Sequence, residues 1–162
     1  MSIETVKTYL KPFGLAERVQ ELGESSATVE LAAQAVGVEP ARIAKTMSFY
    51  AKEPEQCILV VAAGDQKINS GKFKQQFGWK AKMLAAEDVE RLTGHAPGGV
   101  CPFDNPEGCK VYLDRSLQRF PTIFPAAGSA NSAVEMSCQE LETASHSLGW
   151  VDLCKAQVSE EA

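Results

Sequence analysis

The chain has 162 residues, 44% of them hydrophobic and 23% charged, and carries a formal net charge of −5. Such values fit one globular domain with a real hydrophobic core. They exclude a protein that coats nucleic acid through global positive charge, so a polyanionic partner must meet a local basic patch.

Ser2 is expected to cap a first helix in which Ile3, Val6, Tyr9 and Leu10 share a face, with Pro12 and Gly14 ending it. Leu15 to Leu22 fits either a helical turn or a strand starting at Val19. Thr28 is the expected N-cap of a second helix, with Glu30 in its first turn and Gly37 as its stop. Glu39-Pro40-Ala41-Arg42 reads as a turn or a short helix.

Ile43 to Tyr50 has strand parity, with Ile43, Lys45, Met47 and Phe49 on one face, the face expected to look inward. A lysine there either snorkels at a strand end or serves a function. A partly buried ammonium suits a carboxylate, phosphate or carbonyl oxygen, and burial would shift its pKa.

Cys57 to Ala63 is a continuous apolar run, expected as a strand buried on both faces, and Gly64-Asp65 turns it. Asn69 or Ser70 should cap a helix through Phe73 and Phe77 that Gly78 ends, and Trp79 to Leu84 should hold a short strand. Glu87 to Leu92 reads as a short helix closed by Gly94.

That glycine opens Gly94-His95-Ala96-Pro97-Gly98-Gly99-Val100-Cys101-Pro102-Phe103, with three glycines and two prolines in ten positions. No helix or central strand continues through it. It is either a tight surface turn or a stiff loop whose N–H groups at Gly98, Gly99, Val100 and Cys101 meet a carbonyl or phosphate oxygen.

Beyond it, Cys109 to Leu113 is an expected strand and Asp114 caps a short turn of helix. Pro121 to Ser129 should be a strand running into a small-residue bend, and Ala133 to Ser137 a half-buried strand. Ser137 caps a helix over Cys138 to Leu141 and Glu142, and the polar tail after Leu153 is expected to fray. The pattern predicts a single α+β domain over 1–162, with several short strands in a curved or barrel-like sheet and helices around it.

The five cysteines (Cys57, Cys101, Cys109, Cys138, Cys154) are odd in number and dispersed, which suggests free thiols in a reducing cytoplasm. With only His95 and His146, no cluster has zinc-ligand spacing, so neither metal nor cofactor is expected. No apolar run approaches the ~18–20 residues of a membrane span. No export signal is read at the N-terminus, and a cytoplasmic location is expected.

Thr28-Val29-Glu30, Arg42-Ile43-Ala44-Lys45-Thr46, the strand to Val61-Ala62-Ala63-Gly64-Asp65, and Pro97 to Phe103 together resemble the YbaK family, the free-standing relatives of the editing domain inserted in bacterial prolyl-tRNA synthetase. Gly98 and Pro102 take the defining places of that family's Gly-x-x-x-Pro loop, and Ala126-Ala127-Gly128-Ser129 resembles its small-residue bend. The match covers about residues 25–141, and the YbaK-like core should extend over about 25–153.

The resemblance implies hydrolysis of the ester between a wrong amino acid and the 3′ end of a tRNA, with no cofactor and no nucleophile from the protein. It implies Lys45 as the catalytic pocket lysine. Thr28, Gly98, Gly99, Val100, Cys101, Pro102, Ala127, Gly128 and Ser129 become the expected substrate-binding positions. The implied partner is the acceptor end of a mischarged tRNA, with an aminoacyl-tRNA synthetase as a possible second partner, and neither DNA nor membrane.

The residues agree with that chemistry. An ester needs little more than positioning and an oxyanion site, and no Ser-His-Asp set or G-x-S-x-G elbow is present. A missing methylene discriminates by only ~1–3 kcal/mol, so synthetases leave errors for a second site to remove.

Lys67, Lys72, Lys74, Lys80 and Lys82, five lysines in sixteen residues, are either a solvated face or the tRNA-binding patch. Cys101 with His95 six residues earlier invites a cysteine nucleophile, against the simpler reading of a small loop residue. A module that binds aminoacyl-tRNA or a synthetase without hydrolysis is the alternative to the enzyme.

Overall fold

The computed structural model describes residues 3–23, 25 and 28–156, so the expected Ser2 cap lies outside the described residues. In chain order the elements are α1 (Ile3–Leu10), β1 (Val19–Glu21), α2 (Val29–Val36), β2 (Ile43–Tyr50), β3 (Cys57–Ala63), β4 (Gln66–Ile68), α3 (Ser70–Phe77), α4 (Ala86–Thr93), β5 (Cys109–Asp114), β6 (Phe124–Pro125), β7 (Ser132–Val134), α5 (Cys138–Ser145), β8 (Trp150–Val151) and β9 (Cys154–Ala156).

Local chemistry sets the helix ends. Thr28 Oγ1 accepts from the Leu31 N–H at 3.2 Å, and Asn69 Oδ1 accepts from the Lys72 N–H at 3.0 Å. Ser137 and Glu140 form a reciprocal capping box, in which each side chain accepts from the other's main-chain N–H. Gly37, Gly78 and Gly94 close their helices in the left-handed conformation.

The main sheet runs β6-β2-β3-β5-β8, with β2 antiparallel to β3 and the other neighbours parallel. All seven residues of β3 are buried, which is why its sequence shows no alternation. Each fully buried Val, Leu or Ile there contributes about 1.5–3 kcal/mol. One face of the sheet packs on α1, α4 and α5 through Val6, Leu10, Leu92 and Leu141. The other carries α3 through Phe73 against Phe49, and α2 through Ala32 and Ala33 against Ile43. Two ribbons, β1-β7 and β4-β9, complete an α+β domain with mixed sheets.

Several expected strands are shorter. Trp79 to Leu84 forms a single bridge, Phe49 to Met83, because the chain turns away into α4 after touching the end of β2. Pro121 to Ser129 contributes only Phe124–Pro125 to the sheet, since prolines at 121 and 125 supply no N–H to a ladder. The strand expected over Ala133 to Ser137 lies at Ser132–Val134 and is fully buried, with one more bridge from Met136 to Ile123. Residues after Leu153 do not all fray: Cys154–Ala156 pairs with β4. The ambiguous stretch resolves into a short 3-10 turn, Ala16–Arg18, followed by β1.

Candidate active site

A cleft of about 220 Å³ opens where β2 begins. Its walls are Thr28, Val29 and Ala32 at the start of α2, Ile43 to Thr46 of β2, and Gly98 and Val100 of the Gly/Pro loop. Phe124, Ala126, Ser132 and Ala133 close the remaining side.

Lys45 is half-buried there and its ammonium donates to the main-chain carbonyl of Gln66. Desolvation holds its pKa below the usual lysine value, opposed in part by the fields of Cys154, Asp65 and Glu30. The ammonium is therefore a charge kept at some cost beside a small, mostly apolar space.

The loop brings residues with free main-chain donors to the same cleft. The Gly99 N–H closes a turn onto Ala96 O at 3.0 Å, so one of the four expected amides is engaged. Gly98, at φ 90°, and Val100 line the cleft, and among the described residues their N–H groups have no hydrogen-bond partner. Two unpartnered amides and an ammonium on one cleft form the outline of an oxyanion site.

The other expected substrate-binding residues stand behind this surface. Gly99 lies against the bend so closely that a Cβ on it would come 3.0 Å from Gly128 O. Cys101 and Ala127 are fully buried, and Pro102 and Gly128 are buried too. The Ala127 and Ser129 N–H groups both donate to Ser132 Oγ, at 3.0 and 3.3 Å. These residues set the loop and bend in place rather than line the cleft.

Sequence reasoning missed three contributors. Ser132 is one, since nothing local marks it as the post on which the bend hangs. Arg42 is another: it donates to Thr122 O at 3.2 Å and Thr122 Oγ1 at 2.5 Å, and stacks 5.3 Å from the Phe124 ring centroid, pinning one wall of the cleft.

Thr46 is the third. Its Oγ1 is buried and, among the described residues, has no partner. On its strand edge, Ala44 meets Pro125 of β6, while Ser48 O and Tyr50 N bond the segment at Leu84 and Lys82. Thr46 shares their parity, so its own N–H and C=O point into the gap between these neighbours.

His95 and Cys101 do meet, with Nε2 3.5 Å from the sulfur, although they are six residues apart in a loop. Both are fully buried. Nε2 also lies 2.7 Å from Phe103 O, which can only accept, so the ring is protonated on Nε2. Burial pushes the Cys101 thiol up to about 12 and the imidazole below its usual value. A nucleophilic thiolate needs the opposite shift, so the pair is a packing contact under the loop.

The five lysines are spread over β4, α3 and the segment that follows α3. Lys67 is exposed on β4, next to Gln66, and Lys74 is exposed on α3. Lys72 donates to Asp152 at 3.0 Å and to Cys154 O at 3.2 Å. Lys80 is exposed, and Lys82 sits 5.5 Å from the Tyr50 ring centroid at the far end of β2, about 16 Å along the strand from Lys45 at ~3.3 Å per residue. Among the described residues, no group of three or more His, Cys, Asp or Glu is placed to hold a metal, and no helix is long and apolar enough to cross a membrane.

A family model described as "Aminoacyl-tRNA editing domain" matches residues 23–144. The chain belongs to this family. The editing domain is 50% identical over 155 residues to the uncharacterized protein YwhH of Bacillus subtilis (strain 168), a match covering 96% of this chain and 98% of that one. It is 30% identical over 107 residues to the proline–tRNA ligase of Limosilactobacillus fermentum, covering 64% of this chain and 19% of the ligase. Its fold superposes with a TM-score of 0.84, at 28% identity, on a solved structure named as a candidate trans-editing enzyme for prolyl tRNA synthetase, covering 95% of this chain and 97% of that one. The likeness to YbaK-type and prolyl-tRNA synthetase-associated editing domains therefore holds for sequence and fold alike.

Proposed function

We propose that this editing domain is a trans-acting aminoacyl-tRNA deacylase that hydrolyses the ester of a mischarged tRNA. The observation that carries the reading is the single cleft shared by the Lys45 ammonium and the open N–H groups of Gly98 and Val100. Water adds to the ester carbonyl, and the oxyanion that forms is held by those two amides. The ammonium of Lys45 stabilises the same developing charge. Collapse of the intermediate releases the ribose hydroxyl, yielding free amino acid and tRNA. Donors fixed before the substrate arrives need no reorganisation as charge develops.

The remaining cleft residues set what is held. Val29, Ala32, Ile43, Val100 and Phe124 offer apolar contact to a small side chain. The Thr46 carbonyl, facing the gap in the sheet edge, offers an acceptor to the substrate's α-ammonium. Thr28, Gly99, Cys101, Pro102, Ala127, Gly128 and Ser129 position these groups. The working partner is a tRNA acceptor end in the cytoplasm, and the likeness to prolyl-tRNA ligases makes errors of that synthetase the first substrates to try.

The test is deacylation of a panel of Ala-, Cys-, Ser- and Thr-tRNA on cognate and non-cognate acceptors. Release of one or two amino acids well above the spontaneous rate is expected. Release from none would replace the hydrolase with a non-catalytic module that binds aminoacyl-tRNA.

A further inference from the structure

Lys67 and Lys155 are direct partners across the β4-β9 ribbon. Their Cβ atoms are therefore about 4.5–5.5 Å apart, and like charges so placed destabilise a strand pair. Both are exposed, and among the described residues neither has an ion-pair partner. Fold stability does not account for this repulsion, whereas a polyanion bridging the two ammonium groups would relieve it.

The ribbon's position gives that polyanion a purpose. β4 begins at Gln66, whose carbonyl accepts from Lys45, so Lys67 directly follows the residue that holds the cleft's ammonium. On the other side of Gln66 lies an open groove of about 450 Å³ that includes Arg115 and Arg119. Arg115 is 68% exposed along its side chain, and its nearest carboxylate, on Asp152 at 3.9 Å, is already bonded to Lys72 at 3.0 Å. One carboxylate thus serves two cations, while Arg119 is paired with Asp65. Lys67, Lys72, Lys155, Arg115 and Arg119 face Asp65, Asp114 and Asp152 here, an excess of positive charge on a chain whose net charge is −5. The exposed large apolar residues, Leu31, Met83 and Leu148, lie on other elements, which argues against a lipid surface here.

We propose that the β4-β9 ribbon, through Lys67 and Lys155 and with Arg115 beside it, grips the backbone phosphates next to the tRNA 3′ end and so delivers the terminal ester to Lys45. The assignment rests on the editing reading above. It redraws the expected lysine patch: Lys155 and Arg115 enter it, while Lys80 and Lys82, at the other end of β2, stand apart.

The experiment uses the double variant Lys67→Glu with Lys155→Glu, and the single variant Lys67→Glu, which turns the like-charge pair into an ion pair. Uncharged tRNA is titrated by fluorescence anisotropy between 50 and 200 mM salt. The double variant is expected to bind at least tenfold more weakly at low salt, with a salt slope shallower by about 1–2. The single variant is expected to bind more weakly while its urea midpoint is no lower than wild type, which separates binding from folding. On aminoacyl-tRNA, kcat/KM should fall with affinity, whereas cleavage of an aminoacyl-adenosine, which carries no phosphate, should be unchanged. Reversal of Lys11 and Lys52, exposed elsewhere, should change nothing.

Wild-type affinity and slope in the double variant would overturn the assignment. So would a loss of binding on reversing Lys80 and Lys82 that the ribbon variant does not share. Failure of wild type to cleave either substrate would sink the hydrolase reading alone, because the titration with uncharged tRNA still decides the surface.

Discussion

Gly99 of the Gly/Pro loop rests on Gly128 of the small-residue bend with no room for a side chain between them, since a Cβ at 99 would lie 3.0 Å from the Gly128 carbonyl and equally close to Ser129 Cα. The obstacle is main chain of the bend, so it cannot rotate away. Gly99→Ala is expected to lift the loop from the bend and displace the Gly98 and Val100 amides. Overpacking of this kind costs about 1–3 kcal/mol, read as a lower urea midpoint, with deacylation reduced at least tenfold. Wild-type values of both would show that the loop does not depend on this contact.

Ser132 should matter as much as any residue of the loop. Its hydroxyl accepts from Ala127 and Ser129 and donates to Ser129 O at 3.1 Å. Ser132→Ala leaves the buried Ala127 N–H unpaired, a loss of about 1–3 kcal/mol. Chemical denaturation should show it, and Ser132→Thr, which keeps the hydroxyl, should recover part of the loss. An alanine variant as stable as wild type would remove the hydroxyl from the account.

His95 predicts a pH dependence of stability with a definite sign. Burial holds its folded pKa below the ordinary imidazole value of 6.5. As pH falls below 6.5, the unfolded chain takes up a proton that the folded chain resists, so stability falls as pH drops toward the folded pKa and is restored as pH rises. Urea midpoints at pH 7 and pH 5 should therefore differ more for wild type than for His95→Gln. Equal differences would place the acid sensitivity elsewhere.

Lys45 predicts an alkaline limb. Desolvation lowers its pKa from 10.5, so the ammonium and its share of oxyanion stabilisation are lost as pH rises through that lowered value. After subtraction of spontaneous hydrolysis, kcat/KM should decline on a limb lying below 10.5. Lys45→Arg keeps its charge to higher pH, and whatever activity it retains should show the limb displaced upward. An unmoved limb would belong to another group.

What could be read from the sequence was what acts over a few residues. Thr28, Asn69 and Ser137 cap helices through bonds to the residue three positions on, and Gly37, Gly78 and Gly94 end them by backbone freedom alone. The unbroken apolar run Cys57–Ala63 announced a strand covered on both faces. Lys45 stood out because a charge interrupted an otherwise apolar face of β2. The unread features are pairings at long range: β1 with β7, β4 with β9, and Arg42 with Thr122. Nothing near Lys67 names Lys155 as its partner, and nothing near Thr46 says that its strand edge is left open. His95 and Cys101 were visible as a spacing, but only their burial decides that the thiol stays protonated.

The central claim is that Lys45 contributes to breaking the ester and not merely to holding the RNA. Its most direct test is a single-turnover measurement on a mischarged tRNA that wild type cleaves, with Lys45→Ala beside it and tRNA affinity titrated in parallel. A rate reduced by at least a hundredfold, the loss of about 2.7 kcal/mol of transition-state stabilisation, with affinity within a factor of about three (roughly 0.65 kcal/mol), is the predicted result. A variant that cleaves at the wild-type rate, or whose slower turnover is fully explained by weaker binding, would contradict it.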